Sequence, residues 1–171
     1  MGKNLTLTGM MGVGKSTIGK ILAKKLKYKF IDIDKIIEIK EGLSINSIFK
    51  NKSETYFRKI ENDITLSELK RVKSVISLGG GAFLNNKIRI SAKKLSTSFW
   101  LDISIDSLIK RLKKNTFRPL LFRKNINDTI KKIYFERKKI YNQADYRIEC
   151  NSLKSEEIVN KIINLYEKAG N

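Results

Sequence analysis

A glycine-rich loop near the N-terminus constrains the fold of this chain more than any other feature. The pattern Gly9-x-x-x-x-Gly14-Lys15-Ser16 follows an alternating stretch, residues 5–8, that predicts a β-strand. It precedes residues 17–26, where isoleucine and leucine recur at helical spacing. This order is typical of a phosphate-binding loop, in which backbone N–H groups and a helix N-terminus face an anion. The sequence thus predicts an α/β fold that binds ATP or GTP, the alternative being a chance glycine-rich turn.

Individual residues of this loop suit different parts of a nucleotide. Lys15 has the length to reach the β- and γ-phosphates, and the Ser16 hydroxyl suits Mg²⁺, which prefers oxygen ligands. We expect Mg²⁺ as the cofactor, with Asp32 as a second ligand that acts through water. The residues predicted to bind ATP in this loop are Gly12, Val13, Gly14, Lys15, Ser16 and Thr17.

The rest of the chain continues to alternate between strand and helix patterns. Further strands are predicted at residues 29–32, 75–78, 98–101 and 146–150. Helices are predicted at about 54–69, 88–95, 106–113, 127–142 and 155–169. Such alternation is typical of a parallel sheet flanked by helices. With 171 residues and no linker composition, the sequence predicts one domain over residues 1–171.

Composition limits the class of protein. The chain has no apolar run that could cross a bilayer, no signal-peptide pattern and one cysteine, so we expect a cytoplasmic protein with no membrane partner. It has no histidine, which leaves acid–base chemistry to carboxylates, lysines and tyrosines. The formal charge of +19 favours anionic ligands, but the lysines are spread along the chain. Nucleic-acid binding is therefore the lesser interpretation, and no nucleic-acid partner is expected.

Two aspartates follow the second strand. We expect Asp32 and Asp34 to lie two apart in extended backbone, with both carboxylates in one cleft at the carboxyl edge of the sheet. There Asp34 suits the role of a base that accepts the proton of an attacking hydroxyl. The alternative is that Asp34 only caps the following helix.

Glycines and arginines elsewhere predict the pocket for the acceptor. The triple glycine 79–81 exceeds the needs of a turn and indicates a ligand packed against backbone. Arg58 and Arg137 sit among apolar neighbours, and together they suit a substrate carboxylate. Either arginine alone is more typical of a surface residue. Arg118, beside the one proline in residues 114–125, suits a lid over the transferred phosphate; the alternative is a solvated connector.

In their order and spacing, these motifs resemble the shikimate kinase family along nearly the whole chain. The residues that carry the resemblance are 9–20, Asp32-Ile33-Asp34, Arg58 with Glu61, Gly79-Gly80-Gly81, Arg118-Pro119-Leu120-Leu121 and Tyr134-Phe135-Glu136-Arg137. The resemblance implies a three-layer P-loop kinase fold: a five-stranded parallel sheet, flanking helices, substrate-binding helices at about 33–61 and a mobile lid at about 113–125. It also implies transfer of the ATP γ-phosphate to the 3-hydroxyl of shikimate, on the route to chorismate and the aromatic amino acids.

The resemblance also implies roles for single residues. The catalytic residues would be Asp34, Lys15 and Arg118, and Arg111 and Arg118 would join the ATP site. The residues that would bind shikimate are Asp34, Arg58, Gly80, Gly81 and Arg137. We expect a monomer.

Two rival functions stay open from the sequence. One is a P-loop kinase for another small acceptor, such as gluconate or a nucleotide. The other is a nucleotide-dependent nucleic-acid-binding protein, which the charge favours but the modest aromatic content, 9%, does not.

Overall fold

The computed structural model describes residues 3–113 and 126–170. Over these residues the chain forms a five-stranded sheet in which each paired strand runs parallel to its neighbour. The strands are β1 (Asn4–Thr8), β2 (Lys29–Asp32), β3 (Ser74–Ser77), β4 (Ser96–Asp102) and β5 (Tyr146–Glu149). Their order across the sheet is β2-β3-β1-β4-β5, which places the strand before the glycine loop at the centre. The expected five-stranded parallel sheet is therefore confirmed.

Helices connect the strands and cover the sheet. The first four are α1 (Lys15–Leu26), α2 (Ile33–Glu41), α3 (Ile45–Asn51) and α4 (Glu54–Glu68). The later ones are α5 (Asn86–Leu95), α6 (Ile105–Lys113), α7 (Ile126–Tyr141) and α8 (Ser155–Lys168), with a 3₁₀ turn at Ala82–Leu84. None of the helices within these two ranges is both long and apolar enough to span a bilayer.

The central strands are buried on both faces. Every residue of β1 and of β4 is buried, polar ones included, as expected where helices cover both faces of a parallel sheet. Some of the polar members pair with each other across the sheet: the hydroxyls of Thr6 and Ser96 lie 3.1 Å apart. β4 begins at Ser96 and is therefore longer than the predicted residues 98–101. Hydrogen bonding lets polar residues such as Ser96 join a buried strand.

The carboxyl edge of the sheet gathers the loops that the sequence singled out. β1 leads into the glycine loop, β2 into α2, and β3 into Gly79–Gly81. One local prediction is wrong: Asp34 is not in extended backbone but in the first turn of α2. The helix begins earlier because Asp32, not Asp34, is its N-cap and accepts a hydrogen bond from the Lys35 backbone N–H at 3.3 Å.

Candidate active site

The glycine loop wraps around the start of α1. Gly14 caps this helix with φ 106° and ψ 18°, a left-handed conformation that a residue with a Cβ rarely adopts. The Lys15 ammonium donates to the carbonyls of Gly9, at 2.9 Å, and Met10, at 3.0 Å, so the cation stays at the loop. Arg111 joins from α6 and donates to the Val13 carbonyl at 3.0 Å. Two cations and a helix N-terminus therefore converge on one anion-binding loop.

Two side chains with oxygen atoms that could bind a metal ion lie at the edge of this loop. The Ser16 hydroxyl donates to the Asp32 carboxylate at 2.6 Å, which links the start of α1 to the end of β2. Oxygen ligands of this kind fit Mg²⁺, which keeps several of its water molecules and binds few protein ligands. Within residues 3–113 and 126–170, no group of three or more His, Cys, Asp or Glu side chains could hold a metal ion.

A cavity of about 490 Å³ opens beside the loop, between the glycine turn after β3 and helices α2 to α4. Its volume is in the range of small-molecule sites. Met11 of the glycine loop lines the cavity, so the phosphate site and the cavity are adjacent. The other lining residues are Asp34, Glu38, Ser44, Ile45, Asn46, Phe49, Phe57, Arg58, Glu61, Gly80, Gly81 and Arg137.

An ion pair on α4 forms one wall of the cavity. Arg58 donates to Glu61, one turn along the helix, at 2.6 Å, and Glu61 is only 2% exposed. Burial raises the pKa of the Glu61 carboxyl, against the opposing effect of Arg58. Glu54 adds a second, exposed carboxylate 3.3 Å from the Arg58 guanidinium. These contacts hold the guanidinium in place at the cavity.

The glycine turn lets these charges approach the backbone. A Cβ on Gly79 would lie 2.7 Å from the Asp34 carboxylate and closer still to that of Glu61. A Cβ on Gly81 would lie 2.5 Å from the Arg58 guanidinium. Real Cβ atoms do not make contacts this short, so a side chain at either glycine would push these charged groups away from the turn.

Helix α7 supplies the second guanidinium. Arg137 donates to the Gly80 carbonyl at 3.0 Å, and the Tyr141 hydroxyl donates to the same carbonyl. Arg58 and Arg137 thus reach the turn from different helices. Between them the cavity has two cations suited to a carboxylate, with the carboxylate of Asp34 nearby.

Apolar side chains complete the cavity on the side of α3. The rings of Phe49 and Phe57 pack with centroids 4.8 Å apart, next to Ile45. A mixed lining of this kind buries the carbon skeleton of a ligand while a few polar groups fix its orientation.

Comparison with known proteins identifies the family to which this arrangement belongs. The family model described as shikimate kinase matches residues 11–167. A shikimate kinase from Sulfurihydrogenibium sp. is 43% identical over 94% of this chain and 96% of its own length. This chain belongs to the shikimate kinase family.

Solved structures of the family superpose over almost the whole chain. The shikimate kinase of Acinetobacter baumannii, solved in complex with shikimate, has a TM-score of 0.94 and 30% identity, covering 99% of this chain and 95% of its own. That of Aquifex aeolicus has a TM-score of 0.83 and 34% identity, covering 98% of each chain. Family and fold therefore agree with the expectation from the motifs.

The structure brings together most of the residues that the sequence singled out. Asp34, Arg58, Gly80, Gly81 and Arg137 all line one cavity. Lys15, Ser16, Asp32 and Arg111 lie at the adjoining loop. Arg118 and nearly all of the predicted lid lie outside the described residues.

Sequence reasoning assigned no role to several residues of the site, among them Glu61 and Tyr141, which contact its charged groups or its glycine turn. Glu61 entered only as part of a motif, although it lies three residues after Arg58, a spacing at which helical side chains meet. The sequence did hold a signal for this role: Glu61 lies on the same face of α4 as the buried residues Phe57 and Ile64. Tyr141, four residues after Arg137, had a similar helical signal, but its partner on the glycine turn is distant in sequence.

Proposed function

We propose that this chain transfers the γ-phosphoryl group of ATP to the 3-hydroxyl of shikimate. The observation that carries the proposal is the single cavity beside the glycine loop in which Asp34, Arg58 and Arg137 meet. Two guanidinium groups suit a carboxylate, and the carboxylate of Asp34 suits a hydroxyl. The family membership and the shikimate complex of the Acinetobacter relative support the same acceptor.

In the proposed reaction, a new bond forms between the acceptor oxygen and the γ-phosphorus. The bond from that phosphorus to the β,γ-bridging oxygen breaks, and ADP leaves. Asp34 accepts the proton of the hydroxyl, while Arg58 and Arg137 hold the ring by its carboxylate, with backbone contacts from Gly80 and Gly81. Positioning of this kind is the main contribution of a protein to phosphoryl transfer.

The nucleotide side of the site has its own set of roles. Lys15 balances charge on the phosphates, and the backbone of Gly12–Thr17 surrounds them. Arg111, already close to the loop, lies against the nucleotide. Ser16 and Asp32 would hold Mg²⁺, Asp32 through water, and the ion when bound neutralises phosphate charge.

The remaining parts of the proposal concern the protein as a whole. Residues 1–171 act as a single kinase domain, in which residues 33–61 form the acceptor-binding helices. Residues 113–125 act as the lid, with Arg118 directed to the transferred phosphate. The protein works as a monomer in the cytoplasm.

An acceptor panel tests the reaction. The full chain with ATP and Mg²⁺ is assayed for ADP release with shikimate, gluconate, AMP and CMP in parallel, and the site of phosphorylation is read by ³¹P–¹H NMR. Of the four acceptors, we expect only shikimate to support turnover, and we expect the phosphate on its 3-oxygen. Turnover with only a nucleotide or only gluconate contradicts the proposal.

Two controls sharpen this result. Lys15→Met removes the cation at the loop and should abolish ADP release with every acceptor in the panel. A salt titration of binding to DNA and RNA tests the rival suggested by the charge, because phosphate contacts make such binding strongly salt-dependent. Tight binding at physiological salt in a chain that phosphorylates none of the acceptors favours that rival.

A further inference from the structure

A buried carboxylate at the end of β4 is not part of either substrate site. Asp102 is 5% exposed and accepts hydrogen bonds from two side chains on other elements. The Tyr134 hydroxyl of α7 donates to it at 3.1 Å. Arg147 of β5 donates to the same carboxylate through two of its guanidinium nitrogens, Nε at 3.0 Å and Nη2 at 2.8 Å. Asp102 therefore links β5 and α7 to the carboxyl end of β4.

The partners of Asp102 are themselves held in place. The Arg147 guanidinium lies over the ring of Trp100, 5.0 Å from its centroid, and its partner Asp102 compensates the charge. Burial, with the adjoining carboxylate, raises the pKa of Tyr134 to about 12, so its hydroxyl remains a donor at physiological pH.

Helix α7 carries Tyr134 on the same face as its contacts with the acceptor cavity. Tyr134, Arg137 and Tyr141 are spaced i, i+3 and i+7, which places them along one side of a helix. Arg137 and Tyr141 meet the Gly80 carbonyl, and Tyr134 meets Asp102. At 1.5 Å per residue, Tyr134 lies only about 4.5 Å from Arg137 along the axis. Two anchors at different strand ends therefore set how far α7 can slide or rotate.

We propose that Asp102, acting through the Tyr134 hydroxyl, is a positioning residue that sets the place of the Arg137 guanidinium in the acceptor cavity. Without this anchor, α7 keeps its packing but gains freedom about the Gly80 contact. Arg137 then spends less time where it can face Arg58 across a carboxylate. The effect falls on the acceptor, not on the nucleotide, because Lys15 and Arg111 are held by separate contacts with the glycine loop.

Tyr134→Phe tests this inference, which rests on the proposed function. The change removes one hydroxyl and leaves the ring in place. Tyr166→Phe is a matched control, since its hydroxyl donates to the Lys3 carbonyl just before β1, at the amino ends of the strands and away from the substrate sites. For each variant we measure KM for shikimate, KM for ATP, kcat and the melting temperature.

For Tyr134→Phe we expect KM for shikimate to rise about tenfold, the low end of what the loss of one hydrogen bond to a charged group costs, with KM for ATP within about twofold of wild type. Tyr166→Phe should leave both KM values unchanged at a similar loss of melting temperature. The inference is overturned by an unchanged KM for shikimate in Tyr134→Phe, by an equal rise in both KM values, or by an equal effect in Tyr166→Phe.

A double-mutant cycle then tests the route through Arg137. If Tyr134 acts by placing Arg137, Tyr134→Phe should have little further effect on kcat/KM in an Arg137→Ala background, measured from initial slopes. Full additivity of the two changes refutes that route. Wild-type turnover with shikimate is measured first, so failure of the proposed function is seen independently of failure of this inference.

Discussion

Gly79→Ala is the substitution that most directly tests the geometry of the acceptor site. The added methyl carbon would lie 2.7 Å from the Asp34 carboxylate and closer to that of Glu61. An ordinary contact begins at about 3.4 Å, so the Asp34 carboxylate has to move by about 0.7 Å. Glu61 has little room to yield, because it is buried and held by Arg58 at 2.6 Å.

The displacement sets the expected size of the effect. A shift of about 1 Å at a reacting group is enough to cost about 100-fold in rate, so we expect kcat/KM for shikimate to fall by about two orders of magnitude. Crowding of this kind costs about 1–3 kcal/mol of unfolding free energy. For a chain of this length, each 1 kcal/mol corresponds to a fall of about 2–4 °C in melting temperature. The affinity for ATP should change little, since the glycine loop is untouched.

Gly42→Ala provides the matched control. Gly42 ends α2 with φ 64°, and a Cβ there would meet nothing within 4 Å. Alanine in this left-handed conformation costs about 1–2 kcal/mol, so the two variants lose similar stability. Initial rates with a coupled ADP assay, ATP binding by calorimetry and thermal melts compare them. If Gly79→Ala retains kcat/KM within threefold of Gly42→Ala, the crowded arrangement of Asp34 and Glu61 is wrong.

Three further predictions concern charged residues of the cavity. Asp34→Asn should lower kcat by at least about 100-fold while ATP still binds, because an amide cannot accept the proton; near-normal turnover would contradict the base assignment. Arg58→Ala should raise KM for shikimate more than it lowers kcat, by about 10- to 100-fold, since it removes a charged hydrogen bond; a pure kcat effect, read from the same kinetics, would argue against a carboxylate partner. Glu61→Gln should change the pH dependence of unfolding. Because burial raises the pKa of Glu61, the protonated carboxyl stabilises the wild-type fold, and this stabilisation is lost as the pH rises. Urea titrations at about pH 5 and pH 8 should therefore show that the free energy of unfolding of the variant, relative to wild type, is higher at pH 8, by about 1.4 kcal/mol per unit of pKa shift. An equal difference between variant and wild type at both pH values would refute this.

The nucleotide half of the molecule follows largely from local sequence. The glycine loop, its strand and its helix are contiguous, so spacing alone predicts a helix after the loop and places Lys15 and Ser16 at the phosphates. The alternating strand and helix patterns likewise predict the parallel sheet, because each element must bury one face or one stripe against its neighbours. Local patterns placed Asp34 wrongly, since the pattern could not show that Asp32 already caps the helix.

The acceptor half depends on contacts between residues far apart in the chain. Sequence alone determined that this chain carries a phosphate loop, two candidate arginines and a run of glycines. Only the tertiary structure decided that Arg58 and Arg137, from α4 and α7, meet at one glycine turn, that Glu61 is buried beside them, and that Asp102 anchors Tyr134. The physical reason is that propensity and spacing act over one or two helical turns, whereas the packing of helices on a sheet determines which distant side chains face each other.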